Sequence, residues 1–156
     1  MQRDKHLYPL SHQHHNGLMA VLLLKKGLAK HADVVVMGTF ILSIWENELR
    51  THFLQEEVQL HPDVLQIPAL TPLYHQMKTE HHQIRKIIDD LRNGLLSVET
   101  IRLFHQLLEQ HIRFEERILF PFIETHIAAE QMAALGKHLE YLESRACSDY
   151  PVKFWE

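Results

Sequence analysis

Two segments of this chain share a polar skeleton. His52-Phe53-Leu54-Gln55-Glu56-Glu57 reaches Pro62, and His111-Ile112-Arg113-Phe114-Glu115-Glu116 reaches Pro121, so both read His-x3-Glu-Glu with a proline at the same spacing. On a helix, residues i and i+4 lie on one face, so each copy offers an imidazole and a carboxylate to one point in space. Two such pairs, joined by imidazoles from two other helices, form the kind of inward-facing set with which helix bundles hold paired metals. The repeat therefore predicts an all-α, metal-binding four-helix bundle.

Composition supports this and excludes other classes. The chain has 156 residues, enough for one domain with a sizeable core, and only five Gly and six Pro to interrupt helices. The expected organisation is a single domain over 1–156, with the bundle at about 9–126 and a C-terminal helix and tail at 128–156. Cys147 is the only cysteine, which excludes an internal disulfide framework and suits a cytoplasmic setting. The N-terminus carries Arg3, Asp4 and Lys5 where a signal segment would be apolar, so neither export nor membrane insertion is expected. With a net charge of −4 and scattered Lys and Arg, the basic footprint of a nucleic-acid binder is missing. Histidine is the outlier at 14 copies, and imidazole is both a metal ligand and a group that titrates near neutrality.

Punctuation residues divide the chain into four long helices. The first runs from Pro9 to about Lys30 and the second from about Val35 to Leu60. A loop follows from Pro62 to Thr71. The third opens with Thr71 as N-cap and Pro72 in first position and stops at Asn93-Gly94. The fourth opens on Ser97 with Glu99 in its first turn and continues to about His126, with a kink expected at Pro121. A last helix spans roughly Ala128 to Arg145.

Apolar neighbours at helical spacing select the inward histidines. His81 lies on a stripe with Tyr74, Met77, Ile84, Ile88 and Leu91, whereas His82 and His75 share a charged face with Lys78, Arg85 and Asp89. His52 shares a stripe with Trp45 and Leu49, and His111 one with Phe104 and Leu108. On the first helix the repeat favours His15, since Tyr8 precedes it as Tyr74 precedes His81, with His14 as the alternative. Buried Glu56 and Glu115 would need compensating charge, which imidazoles and metal ions supply. Glu57 and Glu116 turn about 100° away and are expected at the surface or paired with Arg. His105 with Glu109 and His126 with Glu130 repeat the spacing without the proline and read as surface pairs.

The segments HIRFEERILFPFIE (111–124) and PLSHQHHNGL (9–18) resemble the hemerythrin-like, or HHE cation-binding, domain, with the likeness extending over roughly residues 8–125. The resemblance implies an up-down-up-down bundle with a non-haem di-iron centre. It implies His15, His52, His81 and His111 as terminal ligands and Glu56 and Glu115 as bridges. In oxygen-carrying members two His lie one turn apart on the third helix, whereas here Met77 and Arg85 flank His81 at that spacing. Mixed imidazole and carboxylate donors suit iron, manganese or zinc, and the resemblance favours iron, two per chain. The expected function is binding, sensing or storage involving iron, O2 or NO. A di-iron redox enzyme acting on peroxide or nitric oxide is the second reading, and histidine pairs forming a pH-dependent interface are the third. No catalytic residue and no protein partner is legible.

Overall fold

The computed structural model describes residues 2–139 and 147–156, and among these there is no β-strand. Four long helical runs dominate. The first is α1 (Tyr8–Ala29). The second joins α2 (Val34–Ile44) to α3 (Arg50–Gln59) through a π-helical turn at Trp45–Leu49. A short α4 (Pro62–Leu65) leads to the third run, α5 (Thr71–Arg92). The fourth joins α6 (Val98–Phe114) to α7 (Phe120–His126) through a second π turn at Glu115–Leu119, and α8 (Ala129–His138) follows. α6 packs against both α1 and α5. No helix among the described residues is long and apolar enough to cross a membrane.

Local chemistry accounts for several helix ends. Asp33 caps α2 by accepting the Val36 N–H, and Ser97 caps α6 by accepting the Thr100 N–H. Gly94, at φ 84°, supplies the left-handed residue after α5. Thr71 departs from its expected role. A 3-10 turn over Pro68–Leu70 precedes α5, so Thr71 is already helical and its hydroxyl donates back to the Pro68 carbonyl. The predicted loop from Pro62 to Thr71 thus carries α4 and that turn. The irregularity expected at Pro121 takes the form of the π turn just before it, in which the Phe120 N–H reaches the Glu115 carbonyl. For the last helix, residues 140–145 of the expected span lie outside the described residues.

The core forms two apolar clusters. One gathers Leu7, Leu10, Leu60, Tyr74, Met77, Leu119 and Phe120 with residues of α8, and the other gathers Ala20, Val21, Phe40, Phe53, Ile84, Leu108 and Ile112 with Trp155. Reading along the chain, the first and third runs meet the Leu7–Phe120 cluster first, while the second and fourth meet it last. Between the clusters each run contributes buried polar residues: His14, His52 with Glu56, His81, and His111 with Glu115. A polar layer sealed above and below by apolar side chains is costly unless its members find partners.

Candidate metal centre

Six buried side chains meet in that layer and form two overlapping groups. His14, His52, Glu56 and Glu115 converge on one point, and His81, His111, Glu56 and Glu115 on another, with the ligand atoms of each group within 4.8 Å of one another. The two carboxylates belong to both groups. Within each His-x3-Glu pair the helical turn brings Nε2 against the carboxylate, at 3.2 Å for His52 and Glu56 and 3.1 Å for His111 and Glu115. Across helices, His81 Nε2 lies 3.2 Å from Glu56 and His14 Nε2 lies 3.0 Å from Glu115.

The outward nitrogens are held by a second ring of acceptors. His14 Nδ1 lies 2.7 Å from Glu116 Oε1, His81 Nδ1 2.8 Å from Glu57 Oε2, and His111 Nδ1 2.8 Å from Glu80 Oε1, while His52 Nδ1 meets Gln13 Oε1. With the hydrogen on Nδ1 in each ring, every Nε2 lone pair points into the layer, the tautomer and orientation of a metal-ligating histidine. The inward nitrogens then face each other, His14 with His52 and His81 with His111, each pair 3.1 Å apart. Ring planes are fixed by stacking: Phe53 lies on His81 at 3.8 Å and 6°, and Phe120 on His14 at 5.4 Å and 9°.

Two observations test whether these residues fit metal ions. All four carboxylate oxygens of Glu56 and Glu115 are buried without a hydrogen-bond partner, because the imidazoles approach them off the hydrogen-bond direction. Opposed Nε2 lone pairs likewise have no hydrogen between them when neutral. A cation in each group gives every one of these atoms a partner, so the residues fit.

Without metal, protons take over part of that compensation. Burial alone would depress His14, but contact with Glu115, Glu116 and Glu56 outweighs it and holds His14 well above its usual value. His111 is likewise pushed down by burial but raised to about 10 overall by the charge of Glu115 and by contacts with Glu115 and Glu80. Glu56, despite burial, lies well below the usual carboxylate range because of His52, His14 and His81. Glu116 falls to about 2, its burial offset by His14, Ser11 and Arg3.

The structure brings together five of the six residues expected from sequence and replaces the sixth. His15 is exposed, and His14, 3% exposed, occupies its expected place in the layer. The misleading signal came from Tyr8, Leu18 and Leu22, which mimic an apolar stripe around His15 but are 59%, 37% and 44% exposed. The true register shifts by one: every buried position of α5 from Tyr74 to Leu91 has a buried counterpart 67 residues earlier, from Leu7 to Leu24. Gly17 stands where α5 has Ile84, and a Cβ there would come within 2.8 Å of the mobile end of the Ile112 side chain, Cδ1. A glycine in the middle of the apolar stripe hid it.

Glu57 and Glu116 do pair with arginines, at 2.7 Å to Arg85 and 2.9 Å to Arg3, yet each also buttresses a histidine. Gln13 and Glu80 were not singled out at all. Each directly precedes an inward histidine, Gln13-His14 and Glu80-His81, and that shared placement was the available signal. His105 is buried, not a surface residue, and Glu109 pairs with Lys25 and Arg113.

A family model described as the Hemerythrin HHE cation binding domain matches residues 6–123. No curated protein and no solved structure matches the chain.

Proposed function

We propose that this chain, which belongs to the hemerythrin HHE cation-binding family, holds two iron ions between the helices of an up-down-up-down bundle and binds or senses O2, NO or iron through them. The observation that carries the reading is the sharing of Glu56 and Glu115 between two ligand groups, with no hydrogen-bond partner for their buried oxygens. His14 and His52 would hold one ion and His81 and His111 the other, with Glu56 and Glu115 common to both. Alternation in the order in which successive runs meet the two apolar clusters supports the up-down topology. The donors are imidazole and carboxylate, a set that iron satisfies and that manganese and zinc also accept. Ferrous ions held there would supply electrons and open coordination positions to a diatomic ligand.

The chain's own residues prepare the place for such a ligand. A small cavity adjoins the layer, lined by His14, Gly17, Glu48, His52, Phe53 and His111 among others. The imidazoles of His14, His52 and His111 line it together with the apolar side chains of Phe53, Leu108 and Ile112.

Metal analysis of untagged protein tests the proposal. Two irons per chain are expected, with at least one lost on Glu56→Ala or Glu115→Ala. Protein that retains no metal after growth in iron and gains none on ferrous titration overturns it. A second reading, reduction of peroxide or nitric oxide, draws support from Glu48, whose carboxylate lines the same cavity and could carry protons to it. Turnover of either substrate by the reduced protein separates the two.

A further inference from the structure

The two halves of the centre repeat each other closely, and among the residues that hold the outer histidine nitrogens they differ at one pair of places. Glu57 and Glu116 are equivalent: each accepts from an inward histidine of another run and each pairs with an arginine. Gln13 and Glu80 occupy the other equivalent pair of places, and they differ in charge. His111 Nδ1 meets the Glu80 carboxylate, whereas His52 Nδ1 meets the neutral amide oxygen of Gln13. We propose that Gln13 makes the His14–His52 position the weaker and more exchangeable of the two metal positions.

The chemistry follows from the outer hydrogen bonds. A carboxylate accepting the Nδ1 hydrogen raises the basicity of Nε2 and places negative charge near the cation, and an amide does neither to the same degree. The His81–His111 position is thus supported by two outer carboxylates, Glu57 and Glu80, and the His14–His52 position by Glu116 alone. Loss of one such partner typically changes metal affinity by about 10–100-fold.

This inference rests on the two-metal reading, and stepwise titration of the metal-free chain with Mn(II) or Zn(II) separates their failures. Two binding steps of unequal affinity are expected. Gln13→Glu should strengthen the weaker step by about 10-fold or more and leave the tighter one in place, while Glu80→Gln should weaken the tighter step. His52→Ala should abolish the weaker step alone, and His111→Ala the tighter one. Failure to bind two ions would defeat the two-metal reading itself. Two bound ions with a weaker step that ignores Gln13→Glu, or that is abolished by His111→Ala and survives His52→Ala, would overturn only the assignment to Gln13.

Discussion

Glu116 accepts the Nδ1 hydrogen of His14 at 2.7 Å across 102 positions of sequence, and in doing so aims His14 Nε2 at Glu115, the neighbour of Glu116. One adjacent pair of glutamates thus provides both a carboxylate of the buried layer and the outer support of a histidine that faces it. Glu56 and Glu57 do the same for His81. The doubled Glu in His-x3-Glu-Glu has a role at both positions, separated by the 100° that one helical residue turns.

Glu116→Gln and Glu57→Gln should therefore each weaken metal binding by about 10–100-fold while keeping the fold. Competition against a chelator of known affinity measures this. Affinities within twofold of the parent protein would mean that these glutamates act only as partners of Arg3 and Arg85.

His14→Ala should lower metal occupancy and His15→Ala should not, since His14 is buried in the ligand layer and His15 is exposed. Metal content after desalting reads the difference. The opposite ranking would move the α1 ligand back to His15.

Chelation should lower the melting temperature. Each of the four orphaned carboxylate oxygens costs about 1–3 kcal/mol when it has neither metal nor hydrogen bond. Ligand binding to the folded state alone contributes about 2.7 kcal/mol at a hundredfold excess over Kd. For a chain of this length that corresponds to a shift of about 5–11 °C. Identical melting with and without Mn(II) would argue that the layer is satisfied by protons alone.

Metal loading at neutral pH should release protons. His111, raised from 6.5 to about 10, and His14, raised well above 6.5, carry protons in the metal-free chain that a metal ion must displace. In that chain a raised folded-state value means that the stabilisation from His111 is fully present below about pH 6.5 and is lost as pH rises through about 10. Glu116, lowered from 4.5 to about 2, acts in the opposite sense: its contribution is present above about pH 4.5 and lost as pH falls through about 2. Titration in weak buffer with a pH indicator checks the release, and metal affinity should climb with pH between about 6.5 and 10. Binding without proton release would show the imidazoles to be neutral beforehand.

Sequence by itself determined the helical class, the four long runs and the inward pairs His52–Glu56 and His111–Glu115, because i,i+4 spacing is a property of one helix and needs no knowledge of its neighbours. His81 was legible for a similar reason: its stripe of Tyr74, Met77, Ile84 and Ile88 is apolar and is buried. His14 was not, because the discriminating position on α1 is Gly17, which has no apolar side chain to mark the stripe and whose place beside Ile112 of α6 shows only in the packed bundle. The exposed Leu18 and Leu22 carry hydrophobic character with no core to enter, and no periodicity within α1 distinguishes them from buried leucines. Only tertiary structure decided which outer acceptor serves which imidazole, since Glu116 with His14 and Glu57 with His81 are contacts between runs. The same holds for the difference between Gln13 and Glu80. Both residues are plain in the sequence, but their consequence depends on two separate helices docking in a register that sets one against His52 and the other against His111.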